Sequence, residues 1–305
     1  MAEQLPTQFA LREPAARKLA TTTKTHVQLP AITPRWLTLL LPWKPVEAGI
    51  LRVNRVAKDH AVDVVCSAEG EDDLPTTYVD YDDRPREYTL TSISTILNVN
   101  TRVADLFGSP FDQVREQLRL TIEIVKERQE DQLINNEQYG LINNVDPSMV
   151  VQPRKGPPTP DDLDELIAKV WKEPAFFLAH PRTIAAFGRE CTRRGVPPPT
   201  VTMFGSPFIT WRGLPLIPCD KVPVEGNKSS ILLLRAGEKK QGVIGCFQPG
   251  LPGEQSPGLS VRFMGINQAA VASYLVSLYC SAAVLSYDAL GVLSGVELGN
   301  YHEYK

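Results

Sequence analysis

Histidine is nearly missing from this chain of 305 residues: only His26, His60, His180 and His302 occur, and no motif supplies any of them with a partner. Catalysis needs a nucleophile, a base and a charge stabiliser brought together, or a metal or cofactor motif, and none is legible. No GxGxxG, P-loop or GxSxG string appears, and Gly205-Ser206-Pro207 lacks the flanking glycines of a nucleophile elbow. The expected catalytic, cofactor-binding and metal-ligand sets are therefore empty. His180 closes an apolar run before Pro181, where a structural role is expected. The five cysteines, Cys66, Cys191, Cys219, Cys246 and Cys280, are odd in number and scattered, without a CxxC pair, and read as reduced cytosolic thiols. Cys191 lies near Arg189, Arg193 and Arg194, which could lower its pKa, but it falls on the inner face of a helix, where packing is expected.

Basic excess is also lacking. A formal net charge of -3 gives no footprint for a nucleic-acid binder. The opening MAEQLPTQFALREPAARK has no basic start followed by an apolar run, so secretion is not expected and a cytoplasmic location is. Charge of either sign is absent between Arg262 and Asp288, where AAVASYLVSLYCSAAVL scores as a possible membrane span. Ser273, Ser277, Ser281, Tyr274 and Tyr279 within that run, and the absence of a basic flank, argue against a span. A membrane-associated protein is thus the less favoured reading.

What the chain does have is proline and apolar residues in unusual combination. Residues 1–44 contain Pro6, Pro14, Pro30, Pro34 and Pro42 but also Leu5, Phe9, Leu29, Trp36, Leu37, Leu41 and Trp43. A disordered tail would be poorer in such residues, and a self-contained domain would show periodicity. Either an arm lying on neighbouring subunits or a strap across the chain's own body explains both facts. Leu51 to Val56 and Ala61 to Cys66 read as a hairpin. The acidic stretch Glu69 to Glu87 reads as a solvated loop or as a contact for basic groups of an adjacent subunit.

Tyr88 to Asn100 reads as one long strand, and Ser109 with Pro110 and Asp112 as the start of a helix carrying Val114, Leu118, Ile122 and Val125 on one stripe. Thr159 caps a second helix, Ala175 to Ala179 forms a buried strand, and Pro181 opens a third helix that stops at Gly195. TVTMF and FITW form a strand pair, and Ile231 to Leu234 a further buried strand. The turn-rich Gln248 to Gly258 marks an expected crossing between domains. In Ser273 to Leu285, serines four apart suit a helix while alternate apolar residues suit a strand.

The phrases EQLRLTIEIVKERQE (Glu116 to Glu130), LIAKVWKEPAFFLAHP, FGRECTRRGVPP and LSVRFMGIN (Leu259 to Asn267) carry a resemblance over nearly the whole chain. It is to capsid proteins of the Hong Kong 97 type, and among them to the family 2 encapsulins, subtype A. The resemblance implies an α+β Hong Kong 97-type fold. Residues 1–44 would be an N-terminal arm, 45–87 an extended-loop hairpin, 88–157 a peripheral domain with a spine helix, and 158–254 an apical domain. Residues 255–285 would return as a strand to the peripheral domain, paired with the Tyr88 to Asn100 region, and 286–305 would lie on the apical domain. It favours the intersubunit arm over the strap and a strand for the disputed segment.

The function implied is a non-enzymatic shell protein that self-assembles into an icosahedral nanocompartment around a cysteine desulfurase, which would link it to sulfur metabolism. Its partners would be about 60 copies of itself and the cargo enzyme, whose pyridoxal phosphate is the only cofactor expected; neither nucleic acid nor membrane is. The loop Arg193, Arg194, Gly195, Val196, Pro197, Pro198, Pro199 would converge on a five-fold pore, although a plain helix stop explains it equally. A phage or prophage major capsid protein is the alternative, disfavoured because no long charged scaffolding segment precedes the arm.

Overall fold

In a computed structural model the described residues are 31–54, 64, 75–81, 83–106, 108 and 112–301. Residues 1–30 of the arm, the second hairpin strand apart from Val64, much of the acidic stretch, and Ser109 and Pro110 lie outside them. In chain order the principal elements are helix α1 (Trp36–Leu40) and strands β1 (Trp43–Pro45), β2 (Ile50–Val53), β3 (Arg86–Thr89) and β4 (Thr91–Asn100). Helices α2 (Thr101–Leu106) and α3 (Gln113–Asn135), strand β5 (Val150–Val151), helix α4 (Pro160–Lys169), strand β6 (Phe176–Ala179) and helix α5 (Pro181–Arg193) follow. The rest is strand: β7 (Thr200–Met203), β8 (Ser206–Trp211), β9 (Leu214–Pro218), β10 (Lys228–Leu234), β11 (Val243–Phe247), β12 (Glu254–Ser256), β13 (Leu259–Ile266), β14 (Val271–Val284) and β15 (Leu290–Glu297).

Two sheets organise these elements. A seven-stranded sheet runs β5-β15-β10-β6-β9-β8-β7. Its strand β6 is buried at all four positions because both faces are covered, which is why the sequence there is continuously apolar rather than alternating. Phe177 and Ala179 join Leu163, Leu166, Phe187 and Cys191 of α4 and α5, while Phe176 and Leu178 face a second cluster with Trp36, Leu37, Leu133 and Ile134. Helix α4 starts with a reciprocal capping box: Thr159 accepts from the Asp162 amide, and Asp162 accepts from the Thr159 amide at 3.0 Å.

The six-stranded sheet runs β1-β11-β14-β13-β12, with β4 added along β14. Val271 to Cys280 pairs antiparallel with Asn100 to Thr91, so the uncharged run is a central strand of this sheet and not a span. Among the described residues no helix is long and apolar enough to cross a membrane. Serines 273, 277 and 281 share one face of β14, two pleats apart, so their spacing of four is compatible with a strand as well as a helix. Helix α3 lies along the other face, where Val125, Leu118 and Ile122 meet Leu259, Val276 and Leu278.

Three expectations are corrected. Asp112, not Ser109, caps the long helix, its carboxylate accepting from the Arg115 amide at 3.0 Å; an Asp three residues after Ser109 suits either register. The predicted strand from Tyr88 breaks at Leu90 into β3 and β4, which pair with different partners. Strand β2 pairs with β3, 33 or more residues downstream, while the second strand of the expected hairpin lies outside the described residues apart from Val64. The chain crosses between sheets at Arg235–Gly242 and returns at Leu285–Ala289, whereas Gln248 to Gly258 stays within the six-stranded sheet as the β11–β12 connection, β12 and the turn into β13. Glycine and proline report a turn, not which sheet flanks it.

Candidate assembly surface

The segment 193–199 is the end of α5. Val196 donates its amide to the Cys191 carbonyl at 2.9 Å and Gly195 to that of Thr192 at 3.0 Å, with Gly195 at φ +70°, which is the glycine-terminated helix stop of the Schellman type. Pro197, Pro198 and Pro199 then lead into β7, and Thr210 donates its amide to the Pro199 carbonyl at 2.8 Å. Arg193 pairs with Glu190 at 2.7 Å, and Arg194 reaches Asp161 at 3.4 Å and Glu190 at 3.8 Å. The two positive charges of the loop are thus shared with two carboxylates. Cys191 beneath them is fully buried, and burial pushes its thiol up to about 11 while Arg194 pulls the other way, so the arginines do not activate it.

His180, the one histidine among the described residues, caps α5: its Nδ1 accepts from the Arg182 amide at 3.1 Å. Burial, aided by the Arg182 charge, lowers its pKa and keeps that nitrogen free to accept.

The most heavily built surface joins residues 31–46 to α3 and the Cys219–Lys221 corner. Trp36, Leu37 and Leu41 are buried, and Trp36 meets Phe208 edge-on at 5.3 Å. Gly245 has no side chain because the Trp43 ring lies over it, allowing β1 to close the sheet edge through Trp43↔Gly245. These residues strap the chain's own body; residues 1–30 of the expected intersubunit arm lie outside the described residues. Polar contacts register the strap. Arg35 binds Glu123 at 2.6 Å and Glu127 at 3.4 Å, the Leu37 amide donates to Glu130 at 2.9 Å, and Asp220 accepts from the Ile32 amide at 2.8 Å and the Thr33 hydroxyl at 3.0 Å. A groove of about 860 Å³ remains between the strap, α3 and the turn after β12.

Glu130, Cys219 and Asp220 bring their potential ligand atoms within 4.8 Å of one another. Both Asp220 oxygens are already engaged, one also by Lys221 at 2.7 Å, and burial pushes the Cys219 thiol far up, so Lys221 is the cation of this cluster. Sequence reading missed the cluster because Glu130 lies 89 and 90 positions before Cys219 and Asp220. Its one sequence signal is Glu123, Glu127 and Glu130 along a single face of the helical phrase.

A third surface is the face of the six-stranded sheet away from α3. It carries Ser92, Ser94, Asn98, Ser273 and Ser277, with Ser94 and Ser277 hydroxyls 3.0 Å apart and Ser273 donating to Asn98 at 2.7 Å. Ile96, Phe263, Met264 and Ile266 stand more than half exposed toward the end of that sheet.

The chain matches the family described as type 2A encapsulin shell protein SrpI-like over residues 50–300. It is 65% identical over 298 residues to the type 2A encapsulin shell protein SrpI of Synechococcus elongatus, covering 98% of this chain and 97% of that one. Its structure superposes on the holo-SrpI encapsulin complex of the same organism with a TM-score of 0.84 at 63% identity, over 97% of this chain and 99% of that one. The capsid of a native GTA particle has a TM-score of 0.64 at 12% identity over 90% of this chain and 95% of that one, a likeness of fold alone. The fold is the α+β Hong Kong 97-type capsid fold, and the chain belongs to the SrpI-like family of type 2A encapsulin shell proteins.

Proposed function

We propose that the chain closes into an icosahedral shell of about 60 copies and encloses a cysteine desulfurase in the cytoplasm, as a nanocompartment serving sulfur metabolism. The observation that carries the reading is the match to shell proteins across nearly the whole of both chains. The shell contributes no catalytic step; the pyridoxal phosphate belongs to the cargo. That the Synechococcus relative was solved as a holo complex supports an enclosed partner. The test is to co-express the chain with a cysteine desulfurase and separate particles by size. Pyridoxal phosphate and sulfur release from cysteine should elute with the particles and resist added protease. Empty particles, with the enzyme eluting free, would contradict the cargo assignment.

The loop at 193–199 is the proposed rim of an opening. Three consecutive prolines stiffen it and remove three amide donors, which suits a fixed rim better than a flap. Because Arg193 and Arg194 sit beside Glu190 and Asp161, reversing both arginines gathers four carboxylates there. Entry of a small anionic substrate into loaded R193E/R194E shells should slow several-fold at low salt and recover as salt screens the site. R193Q/R194Q should give a smaller change in the same direction. Unchanged entry into intact particles of both variants removes these arginines from any role in selection.

A further inference from the structure

The strap crosses four carboxylates but sets one cation, Arg35, against them. Glu123, Glu127 and Glu130 come from α3 and Asp220 from the corner after β9; Arg35 of the strap and Lys221 of the corner face them. Arg35 is committed to Glu123 and Glu127, and Lys221 to Glu127 and Asp220. Glu130 has neither. It is wholly buried, one oxygen accepting from the Leu37 amide and the other without a hydrogen-bond partner among the described residues. Such a carboxylate is costly to bury ionised, and removing the strap would return it to water.

We infer that docking of residues 32–41 is a proton-linked latch, in which Glu130 takes up a proton as the strap closes over it. The geometry sets the direction. In the docked state burial pushes the Glu130 carboxyl up to about 7; the Leu37 amide and Lys221 pull it down, and Glu127 and Asp220 push it further up. Asp220 remains ionised, because donors from Lys221, Ile32 and Thr33 outweigh its own burial, and Lys221 remains charged through the carboxylates that hold it. The Cys219 thiol beside them is held neutral by burial.

With the strap undocked, Glu130 ionises in the ordinary range near 4.5, so between that value and about 7 the docked state holds the additional proton. The docking constant therefore falls as pH rises through this window, by up to about tenfold per unit, and levels off above it.

The test is amide hydrogen exchange on assembled full-length particles at pH 5.5, 7.5 and 8.5, corrected for the intrinsic exchange rate at each pH, with β15 as internal control. Protection over residues 32–41 should fall by about tenfold or more from pH 5.5 to 7.5 and stay level to 8.5, while β15 does not change. In E130Q, which keeps an acceptor for the Leu37 amide but does not titrate, the fall should disappear. Wild-type protection that is level across the range, or that moves together with β15, overturns the latch. So does an equal fall in E130Q. If E130Q does not assemble, the wild-type profile against β15 decides alone.

Discussion

Replacing Asp288 with alanine should cost about 3–5 kcal/mol of stability, because it strands a buried guanidinium. Arg235 has no exposed surface, and its two terminal nitrogens lie 2.7 and 3.3 Å from the Asp288 carboxylate. Lys172 adds a contact at 3.0 Å, and Ser286 donates a further hydrogen bond. The position matters as much as the charge: Arg235 begins the crossing from the seven-stranded to the six-stranded sheet, and Asp288 lies in the return, so the pair pins both connections. Burial pushes the Asp288 carboxyl up, but the bonds from Arg235, Ser286 and Lys172 outweigh it and hold the group well below the usual carboxylate range. Its contribution is therefore present at neutral pH and lost as pH falls through that depressed value. Chemical denaturation of D288A against the wild type measures the cost. R235M/D288A, which removes both charges, should recover much of it; equal losses in the single and double variants would show that the stranded charge is not the cause.

Deleting residues 1–44 should abolish closed particles. The deletion takes Trp36, Leu37 and Leu41 from the core, each worth about 2 kcal/mol of apolar burial, and uncovers Leu133, Ile134 and Glu130. It also removes most of β1, leaving β11 without its edge partner. Losses of that size consume much of the about 5–15 kcal/mol by which a typical domain is stable. The expected products on size exclusion are misassembled species and soluble subassemblies. Intact particles of wild-type thermal stability after the deletion would mean that the strap is dispensable.

Local rules served the helices and buried strands best. Thr159 with Pro160, the Phe176–Ala179 run and the Gly195 stop were legible because each is decided by neighbours in sequence: a cap, an apolar run, a positive φ. The pairing of β14 with β4 needed the resemblance, since serines four apart fit two periodicities. The sheet crossing at Arg235 was illegible because a charged residue inside an apolar strand's end looks like a surface residue until Asp288, 53 positions away, is placed beside it. The strap was half legible: its mixture of proline and apolar residues announced burial on some surface, but whether that surface belonged to the same chain depended on Glu123, Glu127, Glu130 and Asp220. Long-range electrostatics of this kind leaves little trace in composition.

The proposed function requires that this chain alone closes into a shell. Native mass measurement of the purified protein, paired with negative-stain electron microscopy, tests it most directly. About 60 copies of the 33.8 kDa chain predict uniform, hollow, closed particles of about 2 MDa. A monodisperse monomer or dimer, or open sheets and filaments at every concentration and salt tested, would contradict it.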